Sequence, residues 1–376
     1  MKLTTSEKSR YHRHLILPNF GIEGQLKLKA ARVLVVGAGG LGCPVLQYLV
    51  AAGVGNIGIM DFDVVDESNL QRQILYSVDD IDEAKVTVAK RKLSALNPHI
   101  NITIFQEQLT RDNIERIFEN FDIIADGTDN FDTRYLINDA CVLFDKINVF
   151  GSIFRFEGQV SVFNYLQNDG IRSTNYRDLF PEPPEAGLIP NCAEGGVLGV
   201  LPGIIGSMQA NEVIKVITGI GEPLVNRFYI FDALDLFAQT LKIKKNPNVN
   251  ITELPESTNV TCETLVSTIS AKAVKKMLRE KIDFQLIDVR EPKEYDAKNI
   301  GGELIPLGMI LENQDRISRD KQVIIHCQSG KRSQKAIELL QKIGFDNLWN
   351  LEGGILSFNS SEAESSDYVK QKRPEK

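Results

Sequence analysis

A chain of 376 residues, 43% hydrophobic and 25% charged, carries apolar material for a core in each of two domains, which excludes a mostly disordered chain. A formal net charge of −7 disfavours a binder of phosphate backbones, so no nucleic-acid partner is expected. No apolar run reaches the length of a bilayer span and the amino-terminal stretch has no apolar signal region, so no membrane association and a cytoplasmic location are expected.

In chain order, the first half alternates apolar β-branched runs with helical patterns. Strands are predicted at 32–36, 57–60, 102–105, 123–125 and 148–150, and helices at 41–52, 82–96, 113–119 and 133–144. That alternation implies a mostly parallel sheet with helices on both faces. An antiparallel hairpin is predicted over 155–163, turning at Glu157-Gly158. Four prolines between 167 and 190 predict a mobile surface loop, and a helix at 204–218 and a strand at 227–231 close the domain. The next stretch, rich in Asn, Pro, Lys and Thr, reads as an interdomain linker. A second α/β unit comes after it, with a helix at 271–280 behind the N-cap Ser270, strands at 284–289 and 322–326, and a helix at 333–343. The resulting division is 1–245, a linker at 246–264, a second domain at 265–360 and a disordered tail at 361–376.

Gly37, Gly39 and Gly42 form G-x-G-x-x-G directly between a strand and a helix, where glycine allows a tight turn and lets backbone amides approach a phosphate. Alone, the motif favours a dinucleotide, with Asp61 after the second strand accepting from ribose hydroxyls. The residues beyond Asp61 shift the balance. Asn69, Arg72 and Gln73 lie one helical turn apart, then comes Lys85, and Asp129 and Asn130 stand after the strand that ends at Ala125. Arg and Lys can clamp phosphates while a nearby carboxylate holds Mg²⁺, which triphosphate chemistry needs and hydride transfer does not.

The five cysteines, Cys43, Cys141, Cys192, Cys262 and Cys327, are odd in number with no C-x-x-C, which fits free thiols in a reducing compartment. Cys327 stands in the loop CQSGKR between a strand and a helix start. Loop amides, the helix N-terminus, Lys331 and Arg332 should all stabilise its thiolate and a persulfide. Cys192 has no base nearby in sequence and reads either as a half-buried structural thiol or, with outside support, as a second catalytic one. Cys43 and Cys141 lie on apolar helix patterns and are expected in the core.

The text through Arg10-Tyr11-His12-Arg13-His14, GAGGLGCPV, DFDVVDESNLQRQ, DGTDNFDTRYLINDA and FEGQVSVF resembles the ubiquitin-activating-enzyme superfamily, and most closely its MoeB/ThiF-type adenylyltransferases of sulfur-carrier proteins. LIDVREPKEYD, NIGGELIPL, CQSGKRS and NLEGGI resemble a rhodanese domain in the family's order. The fold class expected is therefore α/β: a Rossmann-like, mostly parallel sheet domain with an antiparallel extension, plus a small α/β rhodanese domain. The resemblance implies ATP with Gly40 at the phosphate loop, Asp61 at the ribose, Asn69, Arg72 and Lys85 at the phosphates, and Asp129 on Mg²⁺. It further implies a homodimer in which Arg13 reaches into the partner subunit's site. The implied reaction is adenylation of the C-terminal glycine of a ubiquitin-like sulfur carrier ending in Gly-Gly. Sulfur transfer then proceeds from a persulfide on Cys327, with Arg332 beside it and a cysteine desulfurase as one source of the sulfur. Cys192 would either form a thioester with the activated carrier or resolve an acyl-disulfide. The thiocarboxylate would feed molybdopterin, thiamine or tRNA thiolation.

Two departures matter. Relatives often bind zinc through two C-x-x-C pairs; here Asn175 and Asp178 stand at the first pair and roughly Val249 and Thr252 at the second, so no structural zinc is expected. In the rhodanese half, Asn299 and Phe358 replace a frequent histidine and tryptophan outside the reactive loop. Three other readings are a phosphatase built on the same C-loop-R arrangement, an NAD-dependent oxidoreductase using the same glycines, and a non-catalytic scaffold that docks the carrier. The oxidoreductase leaves the Arg72, Lys85 and Asp129 set and the whole second domain unexplained.

Overall fold

The computed structural model describes residues 2–184, 196–255, 266–341 and 343–360, side chains at 331, 359 and 360 excepted. The chain forms two compact units, Met1–Thr258 and Asn259–Lys376.

The first unit opens with three short helices that the sequence patterns did not predict, α1 (Thr5–Arg10), α2 (His12–Leu15) and α3 (Gly21–Ala30). Thr4 caps α1 in a reciprocal box with Glu7, which also pairs with Lys29 of α3. Five strands then build a parallel sheet: β1 (Arg32–Val36), β2 (Asn56–Met60), β3 (Asn101–Phe105), β4 (Ile123–Asp126) and β5 (Ile147–Phe154). Helices α4 (Gly42–Ala52), α5 (Lys85–Leu96), α6 (Arg111–Phe118) and α7 (Phe131–Leu143) connect them. Strand order is β3-β2-β1-β4-β5, continued by the antiparallel β6 (Glu157–Phe163), β7 (Arg227–Asp232) and β8 (Ala238–Lys242). Val33–Val36 are buried, with β2 in parallel register on one side and β4 on the other, because helices cover both faces of a parallel sheet. The strand order reverses beside β1, and in such sheets the crevice at the carboxyl ends there is where ligands bind.

Three expectations change. The hairpin turns at Arg155-Phe156, with Phe154 paired to Glu157 and Arg155 at φ 54°; β5 therefore runs on to Phe154. Gly158 serves another purpose: a Cβ there would lie 2.2 Å from Ile205, so the glycine lets α9 (Leu201–Thr218) press onto β6. The helix expected from 82 starts instead at Lys85, because Asp82 takes a left-handed φ of 69°. The Pro-rich stretch, as far as residue 184, is packed rather than loose. It carries α8 (Tyr176–Leu179), and Ser173, Thr174 and Tyr176 are buried. Asn175 and Asp178 cap that helix reciprocally, and Asp178 Oδ1 accepts from the Asn246 amide at 2.8 Å. Arg177 adds a forked pair with buried Asp139. These hydrogen bonds join the crossover to the end of the domain.

The second unit is a five-stranded sheet in the order β11-β10-β12-β13-β9, parallel throughout. Its strands are β9 (Ser267–Ile269), β10 (Gln285–Asp288), β11 (Glu303–Leu304), β12 (Val323–His326) and β13 (Leu348–Leu351). Helices α10 (Ala271–Arg279), α11 (Pro292–Ala297), α12 (Lys331–Gln341) and α13 (Gly354–Ser360) complete it. Its core, with Ile287, Val323, Ile325, Ile337 and Leu340 fully buried, is its own. The expected linker falls partly, and the tail and Cys262 wholly, outside the described residues.

Candidate active sites

At the carboxyl ends of β1 and β4 lies an open cleft of about 1060 Å³, solvent mouth included. Gly37 has φ 91° and a Cβ there would lie 2.8 Å from the Gly127 carbonyl; a Cβ at Gly42 would lie 1.9 Å from the Gly37 carbonyl. Those two glycines shape the loop, whereas Gly39 and Gly40 line the cleft at the start of α4. Leu41, the N-cap, makes no side-chain capping bond, and in the first turn Cys43 N–H donates to the Gly39 carbonyl at 2.9 Å.

Asp61 ends β2 with its carboxylate already oriented: Ala38 N–H donates to Oδ2 and Asp63 N–H to Oδ1, both at 2.8 Å. Burial pushes its pKa up while Lys85 opposes the rise. Lys85 is buried, only 4% exposed, and its Nζ donates to Asp63 Oδ2 at 2.8 Å. Arg72 is half-buried, donates to the Ser68 carbonyl at 3.1 Å, and lines the cleft with Asp63, Lys85 and Gln73. The far wall is the turn after β4, carrying Thr128, Asp129 and Asn130. Asp129 is exposed there, while Asn130 Oδ1 accepts from Thr133 N–H and so caps α7.

The structure thus brings together Gly37, Gly39, Gly40, Asp61, Arg72, Lys85, Asp129 and Asn130. Gly42 supports the loop from behind. Asn69 is half-buried on the neighbouring 3₁₀ turn and donates to Ser68 Oγ, outside the lining; Arg13 is exposed on α2, also outside it. Sequence reasoning missed two contributors, Asp63 and Asp126, and named Gln73 without giving it a role. Asp63 holds Lys85. Gln73 is buried, with Oε1 lacking a hydrogen-bond partner among the described residues. Asp126 is fully buried and accepts from both the amide and hydroxyl of Thr128, which fixes the turn that bears Asp129. A polar residue closing an otherwise apolar buried strand was the available signal for Asp126.

These residues fit a nucleoside triphosphate: a glycine loop at a helix start, the cations Arg72 and Lys85, and an oriented carboxylate. Among the described residues no group of three or more His, Cys, Asp or Glu could hold a metal ion.

In the second unit, Cys327 directly follows the central strand β12 and is 1% exposed. Gly330, at φ 92°, turns its N–H onto Sγ at 3.2 Å, and the Ser333 hydroxyl lies 3.4 Å from the sulfur. Asn350 Oδ1 lies 2.6 Å from the same hydroxyl, an alternative acceptor for its one proton. Burial pushes the thiol up, but the Ser333 hydroxyl and the amides of Ser333, Ser329 and Gly330 outweigh it, and the net shift is downward. Arg332 is tied to Glu294 of α11 by two bonds of 2.7 Å, and the pairing brings Glu294 to about 2. Glu294, Ser333 and Asn350 were not singled out from sequence. Cys192 lies outside the described residues, while Cys43 and Cys141 are fully buried; burial raises Cys43 to about 12.

Residues 11–253 match the ThiF family and residues 270–361 match a rhodanese-like domain. The chain is 45% identical over 369 residues to the probable adenylyltransferase/sulfurtransferase MoeZ of Mycobacterium tuberculosis, covering 95% of this chain and 94% of that one. It is 50% identical over 247 residues to the sulfur carrier protein adenylyltransferase of Thermus thermophilus, covering 66% of this chain and 91% of that one. Among solved structures it is similar in fold to selenomethionine PaaA, with a TM-score of 0.54 and 24% identity over 65% of this chain and 76% of that chain.

Proposed function

The chain belongs to the ThiF family and carries a rhodanese-like domain, and from that premise we propose how its two sites divide one synthesis between them. It is an adenylyltransferase and sulfurtransferase acting on a sulfur carrier protein. The observation that carries the assignment of roles is the meeting, in one cleft, of the glycine loop, Arg72 and Lys85 on one wall, and Asp129 on the other.

ATP enters with its phosphates over Gly39 and Gly40 and its ribose hydroxyls donating to the oriented Asp61. The carrier is ubiquitin-like and ends in Gly-Gly, and its terminal carboxylate attacks the α-phosphorus. The acyl-adenylate forms as the bond to pyrophosphate breaks. Arg72 and Lys85 neutralise the charge that collects on the leaving pyrophosphate, in a site where such charge is poorly screened. Asp129 would hold the magnesium ion that accompanies ATP, which would supply further charge neutralisation. Asn69 and Asn130 border this site, and Arg13 completes it from the partner subunit of a homodimer. A Cys327 persulfide, with a cysteine desulfurase as its sulfur source, attacks the activated carbonyl with its terminal sulfur and AMP leaves. Cys192, the second thiol, then attacks the Cys327 sulfur of the acyl-disulfide: that S–S bond breaks, a Cys192–Cys327 disulfide forms, and the C-terminal thiocarboxylate departs for molybdopterin, thiamine or tRNA thiolation. The relatives lend no support to hydride transfer or to a non-catalytic scaffold.

ATP–pyrophosphate exchange with Mg²⁺ and a panel of Gly-Gly-ended ubiquitin-like proteins tests this. Exchange is expected with one carrier, to survive Cys327→Ala, and to be lost in Asp129→Ala. No exchange with any carrier despite tight ATP binding would defeat the reading.

A further inference from the structure

Of the three buried glutamines described in the first unit, two are tied to the backbone. Gln25 Nε2 donates to the Ala52 carbonyl at 2.8 Å, and Gln209 Nε2 donates to the carbonyls of Asp126 and Val149 at 2.7 and 2.8 Å. Gln73 is only 4% exposed, yet its Oε1 has no hydrogen-bond partner and its Nε2 makes no hydrogen bond among the described residues. An apolar side chain of that size would serve the fold better, because a buried polar group left unpaired costs stability. The main chain nonetheless holds the residue in place. Gln73 N–H donates to the Asn69 carbonyl at 3.0 Å, and its own carbonyl accepts from Tyr76 N–H at 3.1 Å. The Tyr76 hydroxyl in turn donates to the Ala38 carbonyl of the glycine loop at 2.8 Å. Gln73 Nε2 faces Gly39, 3.5 Å from where a Cβ would stand, and both residues line the nucleotide cleft.

Three side chains thus meet the glycine loop in sequence. Asp61, the ribose acceptor, takes the Ala38 N–H; Gln73 faces Gly39; the Arg72 stem lies 3.7 Å from where a Cβ on Gly40 would stand. The phosphate joined to the ribose comes before the two that leave as pyrophosphate, and the group between Asp61 and Arg72 is Gln73. We propose that Gln73 is a catalytic residue whose Nε2 donates to an oxygen of the α-phosphate, leaving Arg72 and Lys85 to the pyrophosphate half. This rests on the reading of the cleft as an ATP site. A neutral donor suits that position. The carrier's carboxylate must reach the α-phosphorus, one of its oxygens forming the new P–O bond while pyrophosphate leaves with the old bonding pair. A cation there would also pair with the incoming carboxylate; a carboxamide orients the phosphoryl oxygens and has no charge with which to compete for it.

Dissociation constants of adenosine, AMP and inorganic pyrophosphate are measured by titration calorimetry on the full chain and on its Gln73→Leu and Gln73→Glu variants. Gln73→Leu should weaken AMP about tenfold or more, the scale of a lost hydrogen bond to a charged group, and leave adenosine and pyrophosphate within about twofold. Gln73→Glu keeps the shape but sets a carboxylate against the phosphate, and should weaken AMP further than Leu does while sparing adenosine. Unchanged AMP binding in Gln73→Leu would overturn the proposal. So would an equal loss for adenosine, which marks a deformed pocket, or a loss for pyrophosphate as large as that for AMP. If Gln73→Leu fails to fold, the isosteric Gln73→Glu decides by the same split between AMP and adenosine. A wild-type chain that binds neither AMP nor Mg²⁺-ATP would instead remove the nucleotide-site reading, and this inference with it.

Discussion

Single residues in both sites are held by groups that do no chemistry themselves. Asp61 has each oxygen fixed by a backbone amide, and Lys85 reaches the cleft through an almost fully buried stem tied to Asp63. Such fixed groups stabilise developing charge without reorganising during the reaction. At Cys327 the same logic is carried by Ser333, whose hydroxyl lies 3.4 Å from the sulfur. A thiol with a lowered pKa is more fully thiolate near neutrality, so its alkylation by iodoacetamide should rise with pH to a midpoint below that of an ordinary cysteine. Ser333→Ala removes one donor to the thiolate and should move that midpoint upward. A midpoint that stays put would show that the loop amides suffice. Cys327 stood out in the sequence because its loop sits between a strand and a helix. Ser333, Asn350 and Glu294 did not, since their roles depend on which side chain they face, and Glu294 lies 38 positions from Arg332.

At the scale of elements, the antiparallel extension shows what local reading can and cannot reach. Alternation from 155 to 163 pointed correctly to a hairpin, but the glycine taken for its turn answers to a helix more than forty residues later. A side chain at 158 would run into Ile205 of α9, whose packing on β6 and β5 also brings Gln209 to the carbonyls of Asp126 and Val149, at 2.7 and 2.8 Å. Gly158→Val should cost about 1–3 kcal/mol, seen as a lower urea midpoint at unchanged slope. A neutral outcome would mean that α9 can withdraw without loss. The crossover makes a parallel point. Its prolines and weak periodicity read as a loop, yet the capped turn of α8, the Asp178–Asn246 bond and the Arg177–Asp139 fork bind it down. Those contacts join residues far apart in the chain, beyond the reach of periodicity or turn chemistry.

For the whole molecule, two separate sheets with separate cores mean two sets of packing interactions, each able to melt on its own terms. Calorimetry of the full chain should resolve two transitions. Leu340→Ala, at a fully buried position of the second core, should destabilise one of them by about 2–5 kcal/mol, and Gly158→Val should shift only the other. A single transition displaced by both substitutions would contradict independent cores.

From sequence alone came the α/β class, the mostly parallel order of elements, the glycine loop, the charged set beyond Asp61 and the reactive cysteine loop. These are written in spacing and residue type over short stretches of chain, the range over which strand and helix periods and turn chemistry operate. Tertiary structure alone decided that Asp126 braces the turn bearing Asp129, that Asp63 holds Lys85, that Asp178 accepts from the Asn246 amide, and that Glu294 pairs with Arg332. Each is a pairing of groups made neighbours by the folded backbone, and the strength of a hydrogen bond or ion pair depends on distance in space, to which separation along the chain is blind.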